Sequence, residues 1–255
     1  MTTAPPDSAA LTRAVRFLHD FARRKSPRVL PVPGGFAVLD DRYTGSYDDN
    51  KLIVTEAADP GAILAAADEV LAARQHRLVC TDDDRLGAAL EPAFTAAGYT
   101  HETNLVMTFH GDPPHDPPPA ERVDLGELVP VLRGEWRRTL PEATDDVVDG
   151  LARRAEARPR GAERVGFYAV RTPEGEIAAH ADLYVHEGVA QIESVFTAEE
   201  HRGKGYARAL LTAVLAEAVD ADLIFLVADA ADWPRHFYTR LGFTEAGRAH
   251  DFLRA

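Results

Sequence analysis

The sequence has few of the residues that define several common classes of protein. Its 255 residues include one cysteine, Cys80, so a disulfide framework cannot form, and this thiol in the apolar segment RLVC is predicted to be buried and inert. No apolar run approaches the ~18 residues of a membrane-spanning helix. The N-terminal segment MTTAPPDSAALTRAVRF lacks the basic and then apolar pattern of a signal peptide. These absences favour a cytoplasmic protein with no membrane partner.

Basic residues are also scarce. The chain has 28 Lys and Arg residues against 41 Asp and Glu residues, which gives a formal net charge of −13. We expect no nucleic-acid partner, because binding to a phosphate backbone requires a basic face. The acidic balance suits a cationic or amine-bearing substrate, although acidity commonly serves solubility alone. The three lysines are Lys25, Lys51 and Lys204, and the last of them lies in the most informative motif of the chain.

A proline-rich segment divides the chain into two halves of similar length. The segment GDPPHDPPPAE at 111–121 carries five prolines among eleven residues, which excludes a helix or a central strand and is typical of a semi-rigid linker. The sequence therefore predicts an N-terminal domain at 1–112, a linker at 113–120 and a C-terminal domain at 121–255.

The two halves repeat one order of elements. In the second half, a strand at 189–197 precedes a helix at 205–219, a strand at 223–229, a short helix that ends in RLGF at Phe243, and a last strand. In the first half, a strand at 51–56 precedes a helix at 61–73, a strand at 77–82, a helix that ends in TAAGY at Tyr99, and a strand at 103–109. The shared order and spacing indicate an internal repeat. The first half contains no glycine-rich segment between its first strand and helix.

That glycine-rich segment, HRGKGYARALL at 201–211, runs directly into an apolar-striped helix. The N-terminus of a helix presents unpaired N–H groups and the positive end of a dipole, which together attract anions. Gly203 and Gly205 permit backbone conformations closed to other residues and allow a ligand to approach closely. Arg202 adds a bidentate donor for phosphate oxygens. The segment predicts a phosphate-binding loop, and the alternative is a loop that needs two glycines only in order to turn.

Two familiar phosphate-binding motifs do not fit this segment. A P-loop requires glycine five residues before Gly203, where the chain has Ala198. A dinucleotide-binding fingerprint requires glycine at position 208, where the chain has Arg208. The phosphate therefore belongs to a different kind of ligand.

The segment resembles a known motif. Residues 202–207, Arg-Gly-Lys-Gly-Tyr-Ala, match the Gln/Arg-x-x-Gly-x-Gly/Ala motif of the GNAT N-acetyltransferase superfamily, and HFYTRLGF at 236–243 resembles its second signature. The resemblance covers residues 120 to 255 well, whereas the first half resembles only the fold, in a degenerate form. It implies an α+β (α/β) fold with tandem GNAT-like domains, each a mixed, mostly antiparallel sheet flanked by helices.

The resemblance also implies a cosubstrate, acetyl-CoA, and no metal. Its pyrophosphate would lie on the segment formed by Arg202, Gly203, Lys204, Gly205, Tyr206 and Ala207. Its pantetheine arm would pair like an added strand with the main chain of Val195, Phe196 and Thr197. The implied reaction is direct attack of a neutral amine on the thioester, through a tetrahedral intermediate, with loss of CoA thiolate.

Two residues are candidates for proton transfer in that reaction. Tyr238 matches the family position that donates a proton to the leaving thiolate, and the alternative is a tyrosine packed at a helix end. Glu193, on the strand before the motif, is a candidate base that takes the proton from the amine directly or through water. An exposed or paired strand glutamate is an equal alternative.

Three neighbouring features accompany these residues. His180, Asp182 and Tyr184 alternate along the preceding strand, which is expected to form a hairpin with 189–197 through HEG, and they either line the amine pocket or, as the pattern slightly favours, face solvent. An asparagine common in the family seven residues before the tyrosine is replaced by Ala231. In the DWP segment that follows, Asp232 is a candidate helix N-cap and Pro234 suits the first turn.

Two functions from different classes remain. One is an acetyl-CoA-dependent N-acetyltransferase that acts on a small-molecule amine or a peptide N-terminus, with the second half catalytic and the chain monomeric or homodimeric. The other is a non-catalytic acyl-CoA-binding or regulatory module on the same scaffold. The presence of both the phosphate loop and Tyr238 favours the enzyme.

Overall fold

The structure is a computed structural model that describes residues 8–112, 114 and 116–255. Its helices are α1 (Ser8–Lys25), α2 (Pro60–Val70), α3 (Asp84–Ala96), α4 (Leu125–Thr139), α5 (Asp145–Arg153), α6 (Tyr206–Glu217) and α7 (Pro234–Arg240). Its strands are β1 (Arg28–Val32), β2 (Gly35–Leu39), β3 (Lys51–Val54), β4 (Arg77–Thr81), β5 (Thr100–Phe109), β6 (Glu121–Val123), β7 (Arg164–Arg171), β8 (Ile177–His186), β9 (Val189–Thr197), β10 (Leu223–Asp229) and β11 (Phe243–Arg254). Short 3-10 segments lie at Arg154–Arg160 and Glu199–His201.

The chain forms two compact units. Unit 1 contains the described residues up to Thr108 together with Val227–Ala255, and unit 2 contains Phe109–Leu226. Strand β10 crosses the boundary, so its last residues belong to unit 1. Residues 227–255 follow the second half in sequence but pack with the first.

The sheet of unit 1 has the strand order β1-β2-β3-β4-β11-β5. The β1–β2, β2–β3 and β4–β11 pairs are antiparallel, and β3–β4 is parallel. Strand β11 therefore lies between two strands of the first half, with His250 opposite Thr81 and Arg254 opposite Arg77. The side chain of Thr100 in β5 donates a hydrogen bond to the carbonyl of Leu253, 3.0 Å away.

Helices cover the sheet of unit 1. An apolar cluster joins β2, β3 and β4 to α2 and α3, and it includes the fully buried Ile63, Phe94 and Phe252. A separate cluster joins Ala22 of α1 to Phe36 in β2. The buried residues of α1, α2 and α3 recur at helical spacing, which is the pattern of helices that pack one face on a sheet.

The sheet of unit 2 has the strand order β10-β9-β8-β7-β6. Three of its pairs are antiparallel, and β9–β10 is parallel. Strands β8 and β9 form a two-residue hairpin in which Glu187 and Gly188 have φ values of 47° and 71°. Two successive positive φ values are typical of a type I′ hairpin turn, and the predicted hairpin is confirmed.

The two faces of this sheet carry different helices. Apolar residues of α4, α5 and the following 3-10 segment pack on Phe167 and Ala169 of β7. Helix α6 contacts β7, β8 and β9. Because cross-strand partners project to the same face, the partners of β7 in β8, Asp182 and His180, lie on the face with Phe167 and Ala169.

Most elements predicted from the sequence are present. The predicted strands at 189–197 and 223–229 coincide with β9 and β10, and the predicted helix at 205–219 is α6 at 206–217. The mixed, mostly antiparallel sheets flanked by helices confirm the α+β fold class. In the described part of the chain, no helix is both long and apolar enough to cross a bilayer.

The predicted domain limits and the compact units follow different properties of the chain. The limits at 112 and 121 follow the proline-rich segment, whereas the units follow packing and divide the chain after Thr108 and Leu226. The predicted division stays a prediction. Its linker includes positions 113 and 115, which lie outside the described residues, as does the beginning of the N-terminal segment.

Candidate active site

Helix α6 begins at a glycine and not at a capping side chain. Gly205 is the N-cap residue with φ 88°, and Gly203 has φ 75°. Both values lie in the left-handed region that only glycine enters at little cost. A Cβ atom at either position would meet no described heavy atom within 4 Å, so the space in front of the helix is open. No described side chain caps α6, and its first N–H groups stay available to a ligand.

The segment before α6 is tied to the end of β9. The Nε atom of Arg202 donates a hydrogen bond to the carbonyl of Thr197, 3.2 Å away. Arg202 and Lys204 are exposed, so both cations face solvent beside the helix N-terminus. The pKa of Glu200 is lowered by its own backbone N–H group and, less strongly, by Arg138 and neighbouring cations. Two cationic side chains therefore lie close to the N-terminus of α6.

Strand β9 has a free edge beside this loop. Its pairing with β10 covers Val189–Gln191, whereas β9 itself continues to Thr197. The predicted pantetheine-binding residues, Val195, Phe196 and Thr197, belong to the part of β9 beyond that pairing. An extended ligand can therefore add to this edge as a strand would.

A β-bulge interrupts β9 at the same place. Asp182 is opposite Glu193 and His180 is opposite Phe196, so β9 has one residue more than β8 between these pairs. Ser194 lies in the bulge with φ 54°, a left-handed conformation that is uncommon for a non-glycine residue. A bulge turns strand edges and re-aims side chains, and strained residues of this kind cluster at functional sites.

A buried polar network lies on β8 and β9 beside the bulge. Asp182 is 0% exposed, and its Oδ2 atom accepts hydrogen bonds of 2.5 Å from Arg158 and from the Tyr184 hydroxyl. Burial raises the pKa of Tyr184 well above its usual value, and the negative charges of Asp182 and Glu193 act in the same direction, although Arg158 opposes them. Tyr184 is therefore a neutral hydroxyl donor.

A second polar pair extends this network. His180 is buried, its Nε2 atom lies 2.9 Å from Oε1 of Glu135 in α4, and its ring stacks on Phe196. The half-buried Glu193 accepts a hydrogen bond of 2.7 Å from the side chain of Gln191. His180, Asp182 and Tyr184 are all buried, so the expectation that their face is solvated was wrong. The covering helices supply Glu135 and Arg158 as polar partners.

Tyr238 lies in α7, which belongs to unit 1. It is 8% exposed, and its ring contacts those of Phe237 and Phe243. Pro234 occupies the first turn of α7, as predicted, but the N-cap residue is Trp233 and not Asp232. The carboxylate of Asp232 instead accepts a hydrogen bond from the N–H group of Trp233, at 2.7 Å.

The sequence did not identify two residues of the polar network, Glu135 and Arg158. Both come from the helices that cover the sheet, far in sequence from β8 and β9, and neither lies in a recognisable motif. Hydrophobic periodicity places α4 on the sheet, but it does not indicate which polar side chain of the helix meets the strand. Within the described parts of the chain, no histidine, cysteine, aspartate and glutamate side chains are grouped as a metal site requires.

Comparison with known proteins identifies the class. Residues 128–243 match the model of the Acetyltransferase (GNAT) family. A conserved protein of unknown function from Staphylococcus epidermidis has a similar structure, with a TM-score of 0.69 and 12% identity over 90% of this chain and 94% of that one. A GCN5-related N-acetyltransferase from Kribbella flavida has a TM-score of 0.62 and 18% identity, over 96% of this chain and 95% of that one. A tandem GNAT protein from the clavulanic acid biosynthesis pathway, without acetyl-CoA, has a TM-score of 0.54 and 16% identity, over 97% of this chain and 95% of that one.

These comparisons define a protein with the tandem acetyltransferase fold. Residues 128–243 therefore resemble a GNAT acetyltransferase domain, which supports an acyltransferase.

Proposed function

We propose that this chain is an N-acetyltransferase that moves an acetyl group from acetyl-CoA to a primary amine. The observation that carries the proposal is the entrance of α6, where Gly203 and Gly205 leave open space in front of a helix without a side-chain cap. The pyrophosphate of CoA would accept hydrogen bonds from the first N–H groups of α6. Arg202 and Lys204 would add charge-assisted contacts.

The edge of β9 supports a position for the pantetheine arm of the cosubstrate. The arm of CoA would pair with the main chain of Val195, Phe196 and Thr197, where β9 has left β10. The Arg202–Thr197 hydrogen bond joins the phosphate loop to this edge, so the two ends of the cosubstrate site are held in one arrangement. The bulge at Ser194 leaves a residue outside the regular ladder, and its backbone can donate to the oxygen of a tetrahedral intermediate.

Glu193 is our candidate for the base. It is half-buried beside the bulge, and the amide of Gln191 orients its carboxylate. The amine would transfer its proton to Glu193, directly or through water, as its nitrogen attacks the thioester carbonyl.

Tyr238 is our candidate for the acid that protonates the departing CoA thiolate. A phenol is neutral at physiological pH and can donate a proton to a thiolate. Its ring is mostly buried in α7 and contacts the rings of Phe237 and Phe243, which restricts the motion of the ring. The presence of a tyrosine at position 238 also favours an enzyme over a non-catalytic acyl-CoA-binding module, because CoA binding alone does not require the hydroxyl.

One experiment tests the proposal in two stages. CoA binding to the full chain is measured by calorimetry, and release of free CoA thiol from acetyl-CoA is then measured with a panel of diamines, alkylamines, amino acids and peptides. Binding together with amine-dependent thiol release is the expected result. Binding without release for every amine would favour the non-catalytic module, and the absence of binding would overturn the assignment of the loop.

A further inference from the structure

The bulge in β9 brings two residues of the candidate site to one face of the sheet. Asp182 and His180 are two residues apart in β8, so their side chains lie on the same face. Their cross-strand partners in β9, Glu193 and Phe196, are three residues apart. In a regular strand, residues three apart lie on opposite faces, and the extra residue of the bulge places these two on one face. The candidate base thus shares a face with a residue of the candidate CoA edge.

On β8, each of the two side chains that flank the bulge is bound by an element that covers the sheet. The Nε2 atom of His180 lies 2.9 Å from Oε1 of Glu135 in α4, and we call this pair the His180 anchor. The Oδ2 atom of Asp182 accepts a hydrogen bond of 2.5 Å from Arg158 in the 3-10 segment, and we call this pair the Asp182 anchor. The exposed fraction of the four side chains ranges from 0% to 12%. Each flank of the bulge therefore has its own buried anchor.

The anchors are the polar contacts that join these two side chains to the covering elements. The second polar atom of each side chain, Nδ1 of His180 and Oδ1 of Asp182, is buried and has no hydrogen-bond partner among the described residues. Asp182 Oδ2 accepts one further hydrogen bond, from the hydroxyl of Tyr184, but that residue lies on β8 itself. Loss of an anchor would leave a buried polar side chain with fewer partners than it has now, which is costly.

The His180 anchor lies against the candidate CoA edge. The rings of His180 and Phe196 stack with their centroids 5.6 Å apart and their planes 25° apart. Phe196 is the middle residue of the segment 195–197, whose main chain is our candidate for pairing with the pantetheine arm. A displaced imidazole ring would displace the phenyl ring and, with it, the main chain that receives CoA.

The Asp182 anchor lies opposite the candidate base. Asp182 and Glu193 are direct cross-strand partners. The Cβ atoms of such partners are about 4.5–5.5 Å apart, and like charges at this distance are unfavourable. The guanidinium of Arg158 balances the charge of Asp182 and so reduces this penalty. Without it, Glu193 would be driven away from its place beside the bulge.

We propose that the two anchors have separate positioning roles in acyl transfer. The His180 anchor places the CoA-binding edge of β9, and the Asp182 anchor places Glu193. All four anchor residues act through β9 and are positioning residues. The inference rests on the proposed function and adds to it the residues that hold the two reactants in register.

The first test removes the His180 anchor from the full-length protein. Both partners are replaced, in Glu135→Leu/His180→Leu, because removal of one partner from a buried pair leaves the other uncompensated. We expect calorimetry to show roughly 10-fold weaker CoA binding, about the effect of one lost hydrogen bond. The kcat at saturating acetyl-CoA, with an amine that the parent accepts, should stay close to the parent value.

The second test removes the Asp182 anchor. In Arg158→Met/Asp182→Asn no buried charge is left alone, and the hydroxyl of Tyr184 keeps an oxygen acceptor. We expect kcat to fall roughly 10–100-fold, because displacement of a catalytic group by about 1 Å can have an effect of this size. CoA affinity should stay near the parent value. The two variants should therefore change opposite members of the same pair of quantities.

Two further variants separate these roles from a general loss of structure. Glu135→Leu/His180→Phe restores a ring that can stack on Phe196 and should recover CoA affinity. Tyr168→Phe removes a hydrogen bond of 3.2 Å to Glu217 in the same unit, outside both anchors, and should change neither quantity. Melting temperatures establish that each variant is folded.

Backbone amide exchange provides a measurement that does not require turnover. Exchange should become faster at residues 196–197 when the His180 anchor is removed, and at residues 192–193 when the Asp182 anchor is removed. Equal changes of CoA affinity and kcat in both variants, parental values in both, or unchanged exchange would overturn the anchors. A parent that binds no CoA, or that releases no thiol with any amine, would instead overturn the proposed function, and the exchange pattern would still decide whether the anchors position β9.

Discussion

The entrances of α2 and α6 occupy the same place in the two halves, between a strand and the helix that follows, but their backbone N–H groups are treated differently. At α2 the carboxylate of Asp59 accepts from the N–H group of Ala62 at 2.9 Å, and Pro60 occupies the first turn. At α6 the cap is Gly205, with no side-chain bond. One helix N-terminus is capped by a side chain, and the other has no side-chain cap.

The second difference lies four residues before the glycine that ends the next helix. Counted back from Gly242 this position is Tyr238, and counted back from Gly98 it is Phe94, which is fully buried. The first half thus has an aromatic ring without a hydroxyl where the second half has our candidate acid. Both positions hold a buried aromatic ring, and only the ring of Tyr238 carries a hydroxyl.

Tyr238→Phe makes the second half resemble the first at this position and should have the largest effect. Removal of the hydroxyl while the ring packing is kept should lower kcat by the ~10²–10⁴-fold typical of a proton-transfer group. CoA affinity should stay near the parent value. Steady-state thiol release and calorimetry measure the two quantities.

Tyr168→Phe is the matched control for this change. It removes another largely buried tyrosine hydroxyl, one that donates to Glu217 at 3.2 Å in unit 2. This variant should retain its turnover. Equal losses in both variants would mean that the effect of Tyr238 is structural.

Much of the fold was accessible from the sequence because its elements are locally encoded. The stripe of α6 and the alternation in β8 each rely on neighbours within a few residues. The placement of β11 could not be predicted in this way, because its pairing with β4 joins His250 to Thr81 across most of the chain. Strand periodicity predicts a strand and leaves its partner undefined.

In the candidate site, too, features that depend on neighbouring residues were predicted, and features that depend on distant contacts were not. The candidate phosphate loop is a contiguous motif. Its two glycines were predicted to allow conformations closed to other residues, and both have positive φ values. The contacts of Arg158 and Glu135 depend on how helices cover the sheet, and the burial of Asp182 follows from those contacts. A strand pattern of alternating polar residues is the same for a solvated face and for a buried network.

Gly205→Asp places at α6 a carboxylate like the one at α2. The new side chain can occupy the N-terminal N–H groups and repels a pyrophosphate, so CoA affinity should fall by roughly 10–100-fold, in keeping with the loss of one charge-assisted hydrogen bond. Calorimetry with CoA measures the change.

Gly175→Asp provides the control for backbone strain. Gly175 also has a positive φ, 94°, with open space around a Cβ atom, but it lies in the turn between β7 and β8. Its substitution should cost similar stability and leave CoA affinity unchanged. Equal weakening by both variants would locate the cause in strain and not in the loop.

The stoichiometry of CoA binding tests directly whether one half or both halves bind CoA. Because the entrance of α2 is capped and lacks the cations of the 202–207 segment, the parent chain should bind one equivalent of CoA and not two. In Gly205→Asp the same single equivalent should be reached only at roughly 10–100-fold higher CoA concentration. A second equivalent in the parent, or one equivalent bound in the variant with the parent affinity, would place a CoA site in the first half.

Asp59→Ala removes the cap of α2 and should have the smallest effect. Loss of an N-cap side chain costs about 0.5–2 kcal/mol, and for a chain of this size each kcal/mol lowers the melting temperature by roughly 2–4 °C. Thr144→Ala is the control, because Thr144 is the N-cap residue of α5 but makes no side-chain bond there, and its substitution should be close to neutral. CoA affinity and stoichiometry should not change in either variant, because an uncapped α2 still lacks the glycines and the cations found at α6. If Asp59→Ala instead gained a second CoA site, the aspartate alone would separate the two halves, and the glycines of the second half would be dispensable for binding.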